Sequence, residues 1–220
     1  MAALKIALLG AESTGKTRLA SALAKALTAD GRPVVVVTEY LREWCEQHGR
    51  TPQRAEQAGI AQMQTEKVEA AAQAVPAGLV IADTTPLMTA IYSDHLFGDG
   101  SLYEPALAHQ HSYDLTLLMG LDVPWQADGL QRDGPQARAP MDQMIRAALT
   151  RGGVDFKVIY GLGEERLQHA LEAIQALMPL PDAIQNPARA GAPWVWLCDK
   201  CSDPQCEHRL LSDLLAQRKP

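Results

Sequence analysis

The stretch "LKIALLGAESTGKT", residues 4–17, decides how the rest of the chain is read. An apolar run from Leu4 to Leu9 feeds directly into Gly10-Ala11-Glu12-Ser13-Thr14-Gly15-Lys16-Thr17, which fits the phosphate-loop pattern G-x-x-x-x-G-K-S/T. Between a strand and a helix, such a loop turns successive backbone N–H groups and a helix N-terminus toward a phosphate. Lys16 is placed to reach the β- and γ-phosphates, and the Thr17 hydroxyl to ligate magnesium. The nucleotide-binding set expected from this stretch is Gly10, Glu12, Ser13, Thr14, Gly15, Lys16, Thr17 and Arg18, with ATP and Mg²⁺ as ligands.

Working outward, apolar β-branched runs alternate with helical patterns. Lys16 to Thr28 carries Leu19, Leu23 and Leu27 on one helical face, and "PVVVVTE" follows as a second strand. Helices are expected at "YLREWCEQHG" and from Thr51 to about Ala74, the latter with Thr51 as N-cap and Pro52 in the first helical position. "GLVIADTTP" reads as a third strand, with Thr85 and Pro86 opening the next helix. "DLTLLMGL" and "DFKVIYGL" supply a fourth and a fifth, and Glu164 to Met178 a last amphipathic helix. Continuous apolar strands fit a parallel sheet covered on both faces. The predicted fold class is therefore α/β: a P-loop NTPase or kinase with a five-stranded parallel sheet and helices on both faces. Residues 1–178 form this domain, 179–193 a Pro- and Ala-rich connector, and 194–220 a small Cys/His-containing tail.

Two carboxylates close strands of this sheet. Asp83 ends the third strand, where a Walker-B-like group meets the metal. Glu39 ends the second, and strand ends of an open α/β sheet share one cleft. A carboxylate there can accept the proton of an attacking hydroxyl. Arg42, one helical turn on, is a candidate for holding substrate, as is Tyr40; a solvated helix face is the alternative for Arg42. Residues 124–151, between strands four and five, open with a polar, Gly-, Pro- and Arg-containing stretch before turning helical, and are expected to form a lid. Its Arg132 and Arg138 are catalytic candidates, because guanidinium groups stabilise charge on a transferring phosphoryl group and exclude water.

The chain of 220 residues is 47% hydrophobic and 21% charged, which excludes disordered and fibrous classes. Its net charge of −6 argues against a main role in gripping nucleic acid. Leu4–Leu9 is too short for a signal-peptide core or a membrane span, so a cytoplasmic protein without membrane contact is expected. The oligomeric state is not legible.

"ALLGAESTGKTRLA", "TEYLREW", "VIADTTP", "YDLTLLM" and "VPWQADGLQR", in this order, resemble the ribosylnicotinamide kinase domain of NadR-type proteins, over about Leu4 to Met178. The resemblance implies an ATP- and magnesium-dependent kinase acting on the 5′-hydroxyl of nicotinamide riboside. It also implies that Glu39 or Asp83 serves hydroxyl and metal, and that Trp125 to Arg138 is the lid. That family usually carries an aromatic residue where this chain has Thr38, which leaves the base of the acceptor open; Trp44, Tyr92, Phe97 and Tyr103 are other candidates for stacking on it. Because the sequence starts at the first kinase strand, the adenylyltransferase and DNA-binding parts of longer NadR proteins are not expected. A regulatory ATPase with a docking tail, and a kinase for another small hydroxyl metabolite, are the alternatives.

Near the C-terminus, Cys198, Cys201, Cys206 and His208 read C-x2-C-x4-C-x-H. Three thiolates and an imidazole are the donors of a closed structural zinc site. Incidental thiols before a helix and a redox-active C-x-x-C pair are the competing readings.

Overall fold

A computed structural model describes residues 2–125 and 134–177. Five strands, β1 (Leu4–Leu9), β2 (Val34–Val37), β3 (Leu79–Asp83), β4 (Leu115–Met119) and β5 (Lys157–Ile159), form one sheet in the order β2-β3-β1-β4-β5. Every pairing is parallel. All residues of β3 and β4 are buried, as a sheet covered on both faces requires.

Alternation along the strands sorts the core into two layers. Ile6, Leu8, Leu79, Ile81 and Leu117 pack with Leu19, Leu23 and Leu27 of α1 (Lys16–Ala29) and Ala170 and Ile174 of α7 (Glu164–Gln175). The intervening residues face the other layer. Ala7, Val80 and Ala82 meet Val68 of α3 (Gln57–Ala74), while Leu9 and Leu118 meet Leu87 and Ile91 of α4 (Pro86–Phe97) and Met141 and Ile145 of α6 (Arg138–Arg151). Burying each leucine, isoleucine, valine or methionine among them contributes about 1.5–3 kcal/mol. Helix α2 (Tyr40–His48) follows β2 directly, and α5 (Tyr103–Gln110) follows α4.

Helix α4 starts as its sequence indicates, with the Thr85 hydroxyl accepting from the Leu87 N–H at 3.3 Å and Pro86 in the first turn. The start of α3 differs from expectation. Thr51, preceding a proline, does not cap it; Gln53 caps a 3-10 turn, Arg54–Glu56, that leads into α3. The residue before a proline is pushed toward extended backbone. Glu56 closes the box by accepting the Gln53 N–H at 2.7 Å, and takes both terminal nitrogens of Arg50 at 2.6 and 2.8 Å. The last helix ends at Gln175 rather than Met178, and α5 has no counterpart in the sequence reading.

The 124–151 segment turns helical after its polar opening, of which residues 126–133 lie outside the described residues. Its second half is α6, entered through a 3-10 turn at Pro135–Ala137, and Met141, Ile145, Ala148 and Leu149 are buried. A helix with four buried apolar residues at helical spacing is a wall of the domain. Among the described residues, no helix is long and apolar enough to cross a membrane.

Candidate active site

Central strand β1 carries the phosphate loop to the middle of the sheet's carboxyl edge, between β3 and β4. Gly10 lies so close to β4 that a Cβ would fall 2.8 Å from Met119 Cβ and 2.9 Å from Thr14 Oγ1. Only glycine fits there. The Thr14 hydroxyl, wholly buried, donates to the Ala11 carbonyl at 2.7 Å and closes the loop on itself. Ser13 at φ 55 and Gly15 at φ 82 give the left-handed turns of an anion-binding nest. Lys16 Nζ bridges the Gly10 and Ala11 carbonyls at 2.8 and 3.1 Å, so its ammonium lies across the loop. Arg18, on α1, is exposed.

Asp83 sits opposite Leu8 in the β1–β3 register and is 3% exposed. Its Oδ2 accepts the Thr17 hydroxyl proton at 2.5 Å. This joins the two expected magnesium ligands. A hydroxyl that donates to a carboxylate keeps its lone pairs for a cation. Mg²⁺ prefers oxygen donors, uses one or two carboxylates and takes its remaining oxygens from phosphate and water. The Thr17 and Asp83 pair fits that demand. Thr84, next along, holds φ 88, a strained value for a β-branched residue that costs on the order of 1–3 kcal/mol.

Val37 pairs with Ala82, so β2 and β3 end together and deliver Glu39 beside the Asp83 strand end. Glu39 occupies the N-cap position of α2 without a capping bond. Its carboxylate pairs with Arg42 Nη2 at 3.3 Å, and Arg42 is 53% exposed. A bond that long, to an arginine half in solvent, is weak, about 0–1 kcal/mol. What fixes the turn is Gln64, 2% exposed on α3. Its Oε1 accepts the Tyr40 N–H at 2.7 Å and its Nε2 donates to the Thr38 carbonyl at 3.3 Å, so one amide brackets Glu39. The sequence reading missed Gln64, because a glutamine within a polar helix gives no periodic signal. Thr38 itself donates to Glu43 at 2.6 Å. Glu43 also pairs with Lys67, whose hydrogen bond, with that of Thr38, holds the Glu43 carboxyl below its ordinary range. The Lys67 ammonium lies 5.0 Å from the Tyr40 ring centroid.

Arg138 is placed differently from the closing arginine expected. It is 8% exposed at the start of α6, with Nη1 and Nη2 donating to the Val123 and Leu121 carbonyls at 2.9 and 3.2 Å. Helix packing commits this guanidinium to the backbone that leaves β4. Arg132 lies outside the described residues, as do Cys198, Cys201, Cys206 and His208. Among the described residues, no group of three or more His, Cys, Asp or Glu side chains could hold a metal. Of the stacking candidates, Trp44 already stacks on His48 with centroids 3.9 Å apart. Tyr92 and Tyr103 pack against the α4–α6 core, and Phe97 is 36% exposed.

One residue the sequence reading did not single out lies directly behind the phosphate loop. Arg166 of α7 is 4% exposed and donates to the Thr14 carbonyl at 2.7 Å and the Gly161 carbonyl at 2.8 Å. It also reaches the Gly120 carbonyl at 3.4 Å and pairs with Asp122. Asp122 in turn accepts the Gly161 N–H at 2.6 Å.

No curated protein matches the sequence. Solved structures share its fold at low identity. NadR protein in complex with NR aligns with a TM-score of 0.65 and 20% identity over 81% of this chain and 54% of the other. NadR protein in complex with NAD and AMP-PNP aligns with a TM-score of 0.63 and 19% identity, over 80% and 49%. The chain therefore spans about half the length of these two structures. Thymidylate kinase from Ehrlichia chaffeensis aligns at 0.54 and 17% identity, over 81% of this chain and all of its own. The expected likeness to NadR-type proteins thus holds at the level of a P-loop kinase fold. Residues 5–166 match the family model AAA_28, described as an AAA domain, and since this is most of the chain, the protein belongs to that family.

Proposed function

We propose that the protein is an ATP-dependent kinase that transfers the γ-phosphoryl group to the 5′-hydroxyl of a nucleoside, with nicotinamide riboside as the first acceptor to test. The observation that carries this reading is the shared edge: the phosphate loop, Asp83 and Glu39 leave three adjacent strands at the same end of the sheet. The fold shared with NadR protein in complex with NR, read as nicotinamide riboside, supports that choice of acceptor.

The chemistry follows from the groups present. The loop N–H groups and the α1 N-terminus hold the β-phosphate, and Lys16 exchanges its bonds to the Gly10 and Ala11 carbonyls for phosphate oxygens. Thr17 and Asp83 would hold Mg²⁺, which neutralises charge on the phosphates. Glu39 takes the proton of the acceptor hydroxyl as its oxygen bonds to the γ-phosphorus. The bond from that phosphorus to the bridging oxygen breaks, and ADP leaves with the electron pair. Arg132 is proposed to meet the transferring group from the 124–137 stretch. The Cys198, Cys201, Cys206 and His208 set is proposed as a structural zinc site, tested by metal content of the purified protein.

Incubation with ATP, Mg²⁺ and a panel of nucleosides tests the function. Nicotinamide mononucleotide should form from nicotinamide riboside. Nucleotide binding with no phosphorylated nucleoside, and slow hydrolysis indifferent to acceptors, would favour a regulatory ATPase instead.

A further inference from the structure

Arg166 is placed where an arginine is doubly unfavourable. It lies in the first turn of α7, the positive end of the helix dipole, and it is 4% exposed. Its acceptors offset both penalties. The Asp122 carboxylate and the carbonyls of Thr14, Gly120 and Gly161 surround the guanidinium, which can serve several acceptors because its donors form a rigid fork. These acceptors come from the phosphate loop and from the ends of β4 and β5. Only the Thr14 contact joins residues 152 positions apart in sequence, and it is the contact inside the loop.

The Thr14 carbonyl belongs to the peptide unit that carries the Gly15 N–H. In a trans peptide these two groups point in opposite directions. An oxygen held against Arg166 therefore keeps the Gly15 N–H on the side away from α7. Gly15 sits at φ 82 and ψ 23, and a glycine peptide rotates at little cost unless something outside the loop holds it.

We infer that Arg166, with Asp122 as its counter-charge, is a positioning residue for nucleotide: it fixes the Thr14–Gly15 peptide so that the phosphate loop is preformed for a triphosphate, and it ties that loop to the ends of β4 and β5. The inference rests on the phosphate-loop half of the proposed function and not on the acceptor. Asp122 extends the tie by accepting the Gly161 N–H, so β4 and β5 are pinned to each other and to the loop together.

The test is a titration with a fluorescent ATP analogue and Mg²⁺, in the absence of acceptor, on the full chain and on R166M, R166K and D122N, with thermal midpoints measured in parallel. R166M is expected to weaken binding about 10- to 100-fold, the scale of a misplaced binding group. R166K, which keeps the charge but loses the fork, should recover part of that loss, and D122N should weaken binding less than R166M. With an active acceptor, the KM for ATP should rise while that for the acceptor holds. Variants with lowered midpoints and unchanged analogue affinity would overturn the inference, since Arg166 would then be only a structural anchor. If R166M does not fold, R166K and D122N carry the same comparison. Because no acceptor is present, weakened binding in the variants supports the inference even if no nucleoside is ever phosphorylated; an unmodified chain that binds no analogue overturns both readings.

Discussion

The two sides of the cleft are built differently. On the phosphate side the contacts are short and largely buried: Thr14 to Ala11 at 2.7 Å closes the loop on itself, while Thr17 to Asp83 at 2.5 Å and Arg166 to Thr14 at 2.7 Å reach it from distant parts of the chain. On the Glu39 side, the carboxylate proposed as base has an ion pair of 3.3 Å to a half-exposed arginine, and its turn is held by the amide of Gln64. A triphosphate has the same shape for every kinase, so its cradle can be preformed. An acceptor differs between enzymes, and on the Glu39 side, where the proposed acceptor would bind, the turn is fixed at its backbone while the Glu39 carboxylate itself has only a long ion pair.

This contrast can be broken or sharpened by substitution. Glu39→Gln is expected to have the largest effect, lowering transfer to a hydroxyl by about 10²- to 10⁴-fold with analogue affinity nearly unchanged. Unimpaired transfer in a rate assay would remove Glu39 as base. Lys16→Ala should lower kcat by roughly 10²- to 10³-fold for any acceptor, as loss of one oxyanion donor does; an effect confined to one nucleoside would contradict a preformed cradle. Gln64→Ala leaves the Tyr40 N–H and Thr38 carbonyl without their partner, at about 1–3 kcal/mol, read from a denaturant midpoint. It should also lower kcat/KM for the acceptor while sparing analogue binding. Equal damage to both would show that the two sides are mechanically one.

The smallest effect concerns the start of α3. The Glu56 carboxyl is held down at about 2 by Arg50 and the Gln53 N–H, against an ordinary value of 4.5. A depressed carboxylate stabilises the fold above its unfolded value and loses that contribution as pH falls through its folded one. Arg50→Ala should therefore lower the thermal midpoint at neutral pH and flatten its decline between pH 4.5 and about 2, with nucleotide binding untouched.

Much of the phosphate side was legible because its signal is local. Gly10, Gly15, Lys16 and Thr17 lie within eight consecutive residues, the loop and the first turn of α1, each with a role set by backbone geometry, charge or a hydroxyl at a fixed spacing. The strands announced themselves as apolar runs, and Asp83 and Glu39 were found because strand ends of a parallel sheet share an edge. Thr51 failed as a cap because Glu56, paired with Arg50, made Gln53 the better start. Arg138 was expected over the cleft from its polar neighbourhood, whereas the apolar face of α6 drew it down onto the Leu121 and Val123 carbonyls.

By itself, then, the sequence determined the α/β class, the five strands, the phosphate-loop motif after β1 and two carboxylates at neighbouring strand ends, because periodicity and motif spacing act over a few residues. Only the tertiary structure decided which distant groups hold those parts in place. Arg166 reaches Thr14 across 152 residues, and Gln64 brackets Glu39 from 24 and 26 residues away. Neither residue carries a local pattern. Arg166 supplies donors to backbone carbonyls, and Gln64 supplies one donor and one acceptor to backbone groups that a turn leaves unpaired; that need arises only once the chain has folded around them.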